Sequence, residues 1–423
     1  ERRGRADKAR RDLLGRGGEP LDLGAMANEG EYRAAVARLY AAQLEGARGA
    51  VERSWSTPAE IWAPWYGRAV ARWLAAELAA GARSDEPVAV VEIGGGNGTL
   101  AGNVLDYLAV AHSELYERLT YTVVEISPVL HALQAVRLTP AHGERVELVQ
   151  SAFQEWRPTS ATVVAKPTVV MAHEVLDNCP HDLIRWVDDS PQLAMVDGGV
   201  LDPERRAGWR RGDVTIDWVP LTPAVAPPGL LDLLDAREAV GELPRYAPSR
   251  GSWLGASIEA GRQWMVEQLR PSREHAEEWV PTVGYRFLSH AHDLFPRLGL
   301  LMTDFDALAG AVPFQGHLAP VVQRRDPSRG HATVRFDSVL DPAPGTADIF
   351  HPTDFSLMAA LNNGLGAPRT EYCKQAAWLK VFAADDLSAT TTRSGYNPLL
   401  ADYINFSVLE APIATDGAPA AGT

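Results

Sequence analysis

The stretch Val88-Ala89-Val90-Val91-Glu92-Ile93-Gly94-Gly95-Gly96-Asn97-Gly98-Thr99 constrains the fold of this chain more than any other. Six residues of buried-strand character run into four glycines within five positions, and Leu100–Ala111 then reads as a helix. Glycines at a strand-to-helix junction permit positive φ and let a ligand approach the backbone, while the helix start offers unpaired N–H groups. The same rhythm continues. Tyr121–Glu125 reads as a second strand, Pro128–Leu138 as a helix, Val146–Val149 as a third strand and Pro167–Ala172 as a fourth. Continuous apolar strands separated by helices mean a parallel sheet covered on both faces, so the expected class is α/β, a doubly wound Rossmann-like sheet.

Around this centre the pattern changes. Residues 27–50 carry Tyr32, Ala35, Val36, Leu39, Tyr40 and Leu44 at helical spacing, and Ser56-Thr57-Pro58 with Glu60 opens a helix over Ile61–Ala80. After Pro180, Leu183–Val187, Leu193–Val196 and Val214–Val219 read as antiparallel strands, followed by helices at about 229–240 and 254–270. Leu298–Asp304 returns to sheet character, Ala332–Phe336 reads as a strand and Asp354–Asn362 as a helix. The expected divisions are an N-terminal arm at 1–54, a core at 55–180, an inserted segment at 181–285, the remainder of the core at 286–360 and a C-terminal extension at 361–423, whose last dozen small, polar residues are expected to be disordered.

Composition narrows the function classes. Forty Lys and Arg against 54 Asp and Glu leave a net charge of −14, which argues against bulk electrostatic binding of nucleic acid and leaves only indirect contact open. Two cysteines, Cys179 and Cys373, exclude a disulfide-stapled scaffold and favour a reducing compartment. No apolar run reaches the ~18–20 residues of a membrane span. Residues 1–16 hold seven Arg or Lys and three acids, as a processed organellar protein or a trimmed longer chain would.

Two cofactor readings compete for the glycine loop, beside a plain structural turn. Gly96-x-Gly98-x-x-Ala101 satisfies a dinucleotide fingerprint, with Glu125 placed 27 residues after Gly98. Glu92, Gly94, Gly96 and Gly98 match E-x-G-x-G-x-G, the pattern of S-adenosylmethionine (SAM) methyltransferases. An acid ending the first strand favours SAM, whose amino group and sulfonium an anion orients, whereas it repels a pyrophosphate. Glu125 then accepts hydrogen bonds from the two ribose hydroxyls, and Ser151 lies where the adenine edge falls.

Four motifs together carry a family resemblance. The glycine loop, Val124-Glu125-Ile126-Ser127-Pro128 with Gln134, Ala172-His173-Glu174-Val175-Leu176-Asp177-Asn178-Cys179-Pro180-His181, and the Asp341-to-Phe355 stretch resemble the MidA-like SAM-dependent methyltransferases over roughly residues 55–360. The resemblance implies a mitochondrial matrix enzyme that methylates an arginine on a protein partner. The implied partner is an assembly intermediate, a respiratory complex I subunit or a mitoribosomal protein. Departures are visible: Thr57-Pro58-Ala59-Glu60-Ile61 inserts Ala59, Gly96-Asn97-Gly98 replaces Gly-Arg-Gly, and Asp304-Phe305-Asp306 replaces Asp-Tyr-Gly. They keep open a second reading, a SAM-fold assembly factor that does not turn over.

Methyl transfer to arginine needs carboxylates, because the guanidinium stays protonated and is best held by bidentate pairing. Glu174 and Asp177 follow the fourth strand, where open α/β sheets bind ligands, and helix capping is their competing role. His173 joins them as the third catalytic candidate, although packing or orienting a neighbour suits it better than acting as a base. His173-Glu174-x-x-Asp177 has half the spacing of a zinc motif, but without a third ligand no metal is expected.

Overall fold

The computed structural model describes residues 21–46, 57–158, 166–187, 190–197, 215–241, 277–308, 318–326, 332–343, 345–367 and 369–414. The chain divides into two compact units: Glu1–Leu176 with Phe287–Ala307 and Leu365–Thr423, and Asp177–Arg286 with Leu308–Gly364. The basic opening, the helix expected at 254–270 and residues 415–423 lie outside the described residues.

The first unit opens with helices α1 (Glu29–Gly46), α2 (Pro58–Ile61) and α3 (Trp65–Gly81). The winding follows as β1 (Val88–Ile93), α4 (Thr99–Ala111), α5 (Ser113–Arg118), β2 (Leu119–Glu125), α6 (Pro128–His142), β3 (Val146–Gln150) and β4 (Thr168–His173). The second unit contributes β5 (Asp182–Val187), β6 (Ser190–Asp197), β7 (Thr215–Pro220), α7 (Leu230–Ala239) and β8 (Glu277–Val280). Helix α8 (Thr282–Leu294) leads to β9 (Leu298–Phe305) in the first unit. β10 (Val321–Asp326), β11 (Ala332–Phe336), β12 (Asp348–Phe350) and α9 (Phe355–Gly364) belong to the second unit, and β13 (Glu371–Lys374), α10 (Gln375–Phe382), α11 (Pro398–Ala401) and β14 (Phe406–Ala411) to the first.

Seven strands form the main sheet in the order β13-β14-β9-β4-β1-β2-β3. From β3 through β9 every pairing is parallel, while β14 runs antiparallel to both neighbours. The winding goes outward from β1 to β3, then restarts at β4 on the other side. The β1–β4 junction is therefore the switch point, where the carboxyl ends of two strands diverge and leave a crevice. All six residues of β1 are buried, because helices cover both faces. Val90, Val123, Met171, Leu301 and Val408 join Leu74, Leu78, Leu105 and Leu108 of the flanking helices in one core.

Two features differ from the sequence reading. The helix expected over Ile61–Ala80 is two helices: Thr57 caps α2, which ends at Ile61, and Pro64, with no amide hydrogen to continue the ladder, precedes α3. The divisions expected at 286–360 and 361–423 also fall elsewhere. Residues 308–364 group with the second unit, whereas 365–414 bring β13 and β14 to the main sheet. β14 pairs with β9 over six residues and buries Phe406, Val408 and Leu409, so the C-terminal stretch is part of the core rather than an appendage.

The second unit holds a four-stranded antiparallel sheet, β7-β6-β5-β8, and a three-stranded sheet, β11-β10-β12. A buried ion pair, Arg237 to Glu278 at 2.8 Å, joins α7 to β8. Among the described residues no helix is long and apolar enough to cross a membrane.

Leu409→Ala tests the place of the C-terminal strand. As a fully buried leucine on a paired strand, its truncation is expected to lower the unfolding free energy by about 2–5 kcal/mol in urea titrations. A change near zero would put β14 outside the cooperative core.

Candidate cofactor and acceptor site

The turn after β1 is closed on one side and open on the other. Gly94, Gly96 and Gly98 have φ of 65°, 54° and 79°, the left-handed region that favours glycine. A Cβ at Gly94 would stand 2.9 Å from Val175 Cγ2, and one at Gly95 would stand 2.6 Å from Val123 Cγ1. At Gly96 a Cβ would meet nothing within 4 Å, so here the backbone borders open space. Hydrogen bonds hold this shape: Gly94 N–H donates to Val124 O at 2.9 Å, Gly98 N–H to Gly95 O at 2.9 Å, and Gln134 Nε2 to Gly96 O at 2.8 Å. Asn97 Oδ1 accepts from Thr99 N–H at 2.9 Å, which satisfies a first-turn donor of α4.

The two acids expected to meet the cofactor sit differently. Glu125, ending β2, is 4% exposed, and its Oε1 accepts from Ser127 N–H at 2.8 Å. Burial raises its pKa, opposed by hydrogen bonds from the backbone of Ser127, Gly96 and Ile126 and from the Gln134 side chain. Glu92, one residue before the end of β1, is enclosed close to Gly95. It is 3% exposed, Tyr121 donates to its Oε2 at 2.7 Å, and burial pushes its pKa up to about 7 against that hydrogen bond, with the Glu125 charge adding to the rise. Ser151 follows β3, donates through Oγ to Ala152 O at 3.0 Å and through N–H to Glu125 O at 3.2 Å.

Past β4 the backbone turns sharply. Glu174 has φ of 56°, a left-handed conformation costly for a residue with a side chain, and its N–H donates to Thr303 O at 2.8 Å. The next residue, Val175, is the one that meets Gly94, so the Glu174 turn and the glycine turn share a contact. His173 Nδ1 lies 2.8 Å from Thr303 Oγ1 and 3.4 Å from the Tyr66 hydroxyl. Tyr66 also donates toward Gln375 Oε1 at 3.3 Å. Burial drives the His173 pKa down to about 3, so the ring is neutral across the working pH range and a very weak base.

Asp177 opens the second unit, in a tight turn over Leu176–Asn178. It is 2% exposed, Asn178 Nδ2 donates to its Oδ1, and burial pushes its pKa well above the carboxylate range. Its carbonyl accepts from His351 N–H at 2.8 Å. Among the described residues no three His, Cys, Asp or Glu side chains gather as a metal site would require.

The structure thus brings Glu92, the glycines, Glu125, Ser151, His173 and Glu174 to the carboxyl edge of the main sheet. The sequence reading had no place for Tyr66 and Gln375, which lie in helices with no motif. Thr303 left one faint signal, a lone hydroxyl in the apolar run Leu298–Asp304.

An open parallel sheet with a glycine-lined crevice at its switch point and an acid ending the second strand defines a nucleotide-type cofactor fold. Residues 69–372 match the family model described as "Putative S-adenosyl-L-methionine-dependent methyltransferase". That match covers most of the chain, which therefore belongs to this family; its cofactor is S-adenosylmethionine. The chain is 30% identical over 156 residues to the mitochondrial protein arginine methyltransferase NDUFAF7 homolog of Drosophila melanogaster. That alignment spans 34% of this chain and 35% of the relative, about a third of each. Two Burkholderia thailandensis crystal structures share the fold. One, of an uncharacterized protein, is 19% identical with a TM-score of 0.53, and the other, bound to S-adenosyl-homocysteine, is 18% identical with a TM-score of 0.50. Both likenesses cover 92% of this chain and 94% of the other.

The raised pKa of Glu92 sets a pH dependence. A carboxyl near 7 when folded and near 4.5 when unfolded binds its proton more tightly in the folded state. Its contribution to stability is complete below about 4.5 and is lost as pH rises through about 7. Glu92→Gln keeps an acceptor for Tyr121 without the charge, so it is expected to gain roughly 1–3 kcal/mol at pH 8 and little at pH 4. Equal effects at both pH values in thermal unfolding would contradict this.

Proposed function

We propose that this chain transfers the methyl group of S-adenosylmethionine to an arginine of a protein partner. The observation that carries the reading is the Gly94–Val175 contact, which sets the Glu174 turn directly against the glycine turn. The glycine backbone lets the cofactor approach at Gly96, Glu125 offers its carboxylate to the ribose diol, and Ser151 borders the adenine edge. Bound there, SAM supplies a methyl carbon made electrophilic by its sulfonium.

Glu174 acts on the acceptor. Its carboxylate pairs with a guanidinium and draws charge away from the attacking nitrogen, and one of its oxygens takes the proton that nitrogen sheds; Asp177, held toward its neutral form by burial, is the second acid of the proposal. His173, neutral and bonded to Thr303, positions Glu174 rather than serving as the base. Glu92 supports the turn through Tyr121. The net charge of −14 favours encounter with a cationic, arginine-bearing partner.

The mitochondrial placement in the proposal leans on the Drosophila relative, which is named a mitochondrial protein arginine methyltransferase, while the matrix and the assembly partner extend the resemblance of the sequence motifs. The chain acts in the mitochondrial matrix, and its substrate is an assembly intermediate such as a respiratory complex I subunit or a mitoribosomal protein.

Incubation with methyl-labelled SAM and a peptide library scanned for labelled residues tests the acceptor. Label is expected on arginine, and Glu174→Gln is expected to lower turnover about 100-fold or more while S-adenosyl-homocysteine binding stays unchanged. Label confined to lysine would overturn the arginine reading. Cofactor binding with no transfer to any peptide or to mitochondrial matrix proteins would favour a non-catalytic assembly factor.

A further inference from the structure

Asn97 lies between Gly96 and Gly98, and both ends of its side-chain amide are engaged. Oδ1 accepts from Thr99 N–H at 2.9 Å and from Thr99 Oγ1 at 2.5 Å, while Nδ2 donates to Glu60 Oε1. Glu60 comes from α2, about 37 residues earlier, and not from the winding that builds the rest of the turn.

Buried and hydrogen-bonded neighbours set the position of Glu60. Thr57 caps α2, and Ala59, Ile61 and Trp62 on either side of Glu60 are buried. Trp62 Nε1 donates to the Tyr32 hydroxyl at 3.2 Å, which donates to Asp402 at 2.9 Å, and Arg33 pairs with Asp402 at 2.7 Å. Gly67, early in α3, would place a Cβ 2.5 Å from Asn103 Cβ, so its lack of a side chain lets α3 approach α4. The segment before the sheet is therefore anchored to α1, to the C-terminal stretch and to the helix that follows the glycine turn.

We propose that Glu60 is a positioning residue of the cofactor site: through Asn97 it holds the Gly94–Thr99 turn in the shape that receives the cofactor, so the N-terminal segment forms part of that site. The proposal rests on the reading of this turn as the cofactor site. Without Glu60 the Asn97 amide loses the partner that orients it, Thr99 loses a fixed acceptor, and the turn spends part of its time in shapes that do not bind. The cost appears in ligand affinity, because binding must restore the order.

Calorimetric titration of the full chain with S-adenosyl-homocysteine, paired with thermal unfolding of each ligand-free variant, tests this. Glu60→Ala is expected to weaken binding about tenfold or more, the scale of one hydrogen bond to a charged group. Glu60→Gln keeps an acceptor oxygen for Asn97 and is expected to bind within about threefold of the unaltered chain. Asn97→Ala also weakens binding, and Glu60→Ala with Asn97→Ala is no weaker than Asn97→Ala alone, because the two act as one unit. Unchanged affinity in Glu60→Ala would overturn the proposal, as would full addition of the two losses. Equal losses in Glu60→Gln and Glu60→Ala would overturn it too, by showing that the charge and not the hydrogen bond matters. Glu125→Ala is titrated alongside. Loss there without loss in Glu60→Ala overturns only the role of Glu60, whereas full affinity in both overturns the reading of the turn itself.

Discussion

The contact between Gly94 and Val175 is the constraint around which the carboxyl edge of the sheet is arranged. β1 and β4 are neighbours, so the chain leaving each must clear the other within one residue of the strand ends. A side chain at 94 has no room against Val175; the position is a left-handed glycine, and Glu174 opposite is left-handed as well. The first is inexpensive and the second is not. The strain at Glu174 is held by its hydrogen bond to Thr303, on a strand whose pairing with β4 is uninterrupted from Thr168 to His173. Sheet register thereby becomes side-chain placement at the crevice.

Burial decides what the acids at this edge do. Glu92 and Glu125 end adjacent strands and are comparably enclosed, yet only Glu125 is surrounded by backbone N–H groups that favour its charged form. At Glu92 burial and the neighbouring Glu125 charge outweigh the single phenol donor and push the pKa up to about 7. One acid is thus suited to accepting hydrogen bonds from a ligand and the other to bracing the turn from within. His173 follows the same rule in reverse, since an enclosed imidazole beside two hydroxyls stays neutral and orients its neighbours.

Much of this was legible in the sequence because it depends on period and on glycine. The strands β1, β2, β4 and β9 are mostly apolar and almost wholly buried, and such runs between helices leave few alternatives to a parallel sheet. The glycine turn and Glu125 were readable from spacing alone. Three things were not. The break at Pro64 was masked by helical spacing on both sides of it. The C-terminal strands β13 and β14 are short, separated by 31 residues and antiparallel, so nothing local ties them to β9. The Tyr66, Thr303 and Gln375 cluster joins residues more than 300 positions apart, and polar side chains that satisfy one another inside a core leave no motif. Glu60 was readable as part of a helix start and of the Thr57–Ile61 motif, but its bond to Asn97 in the glycine turn was not.

Hydrogen exchange with and without S-adenosyl-homocysteine shows whether the crevice at the β1–β4 switch point holds the cofactor. Added protection is expected at residues 94–99 and 125–127, the two backbone stretches that border the crevice, with lesser protection at 174–175. Protection confined to the second unit, or none at these stretches under saturating ligand, would contradict it.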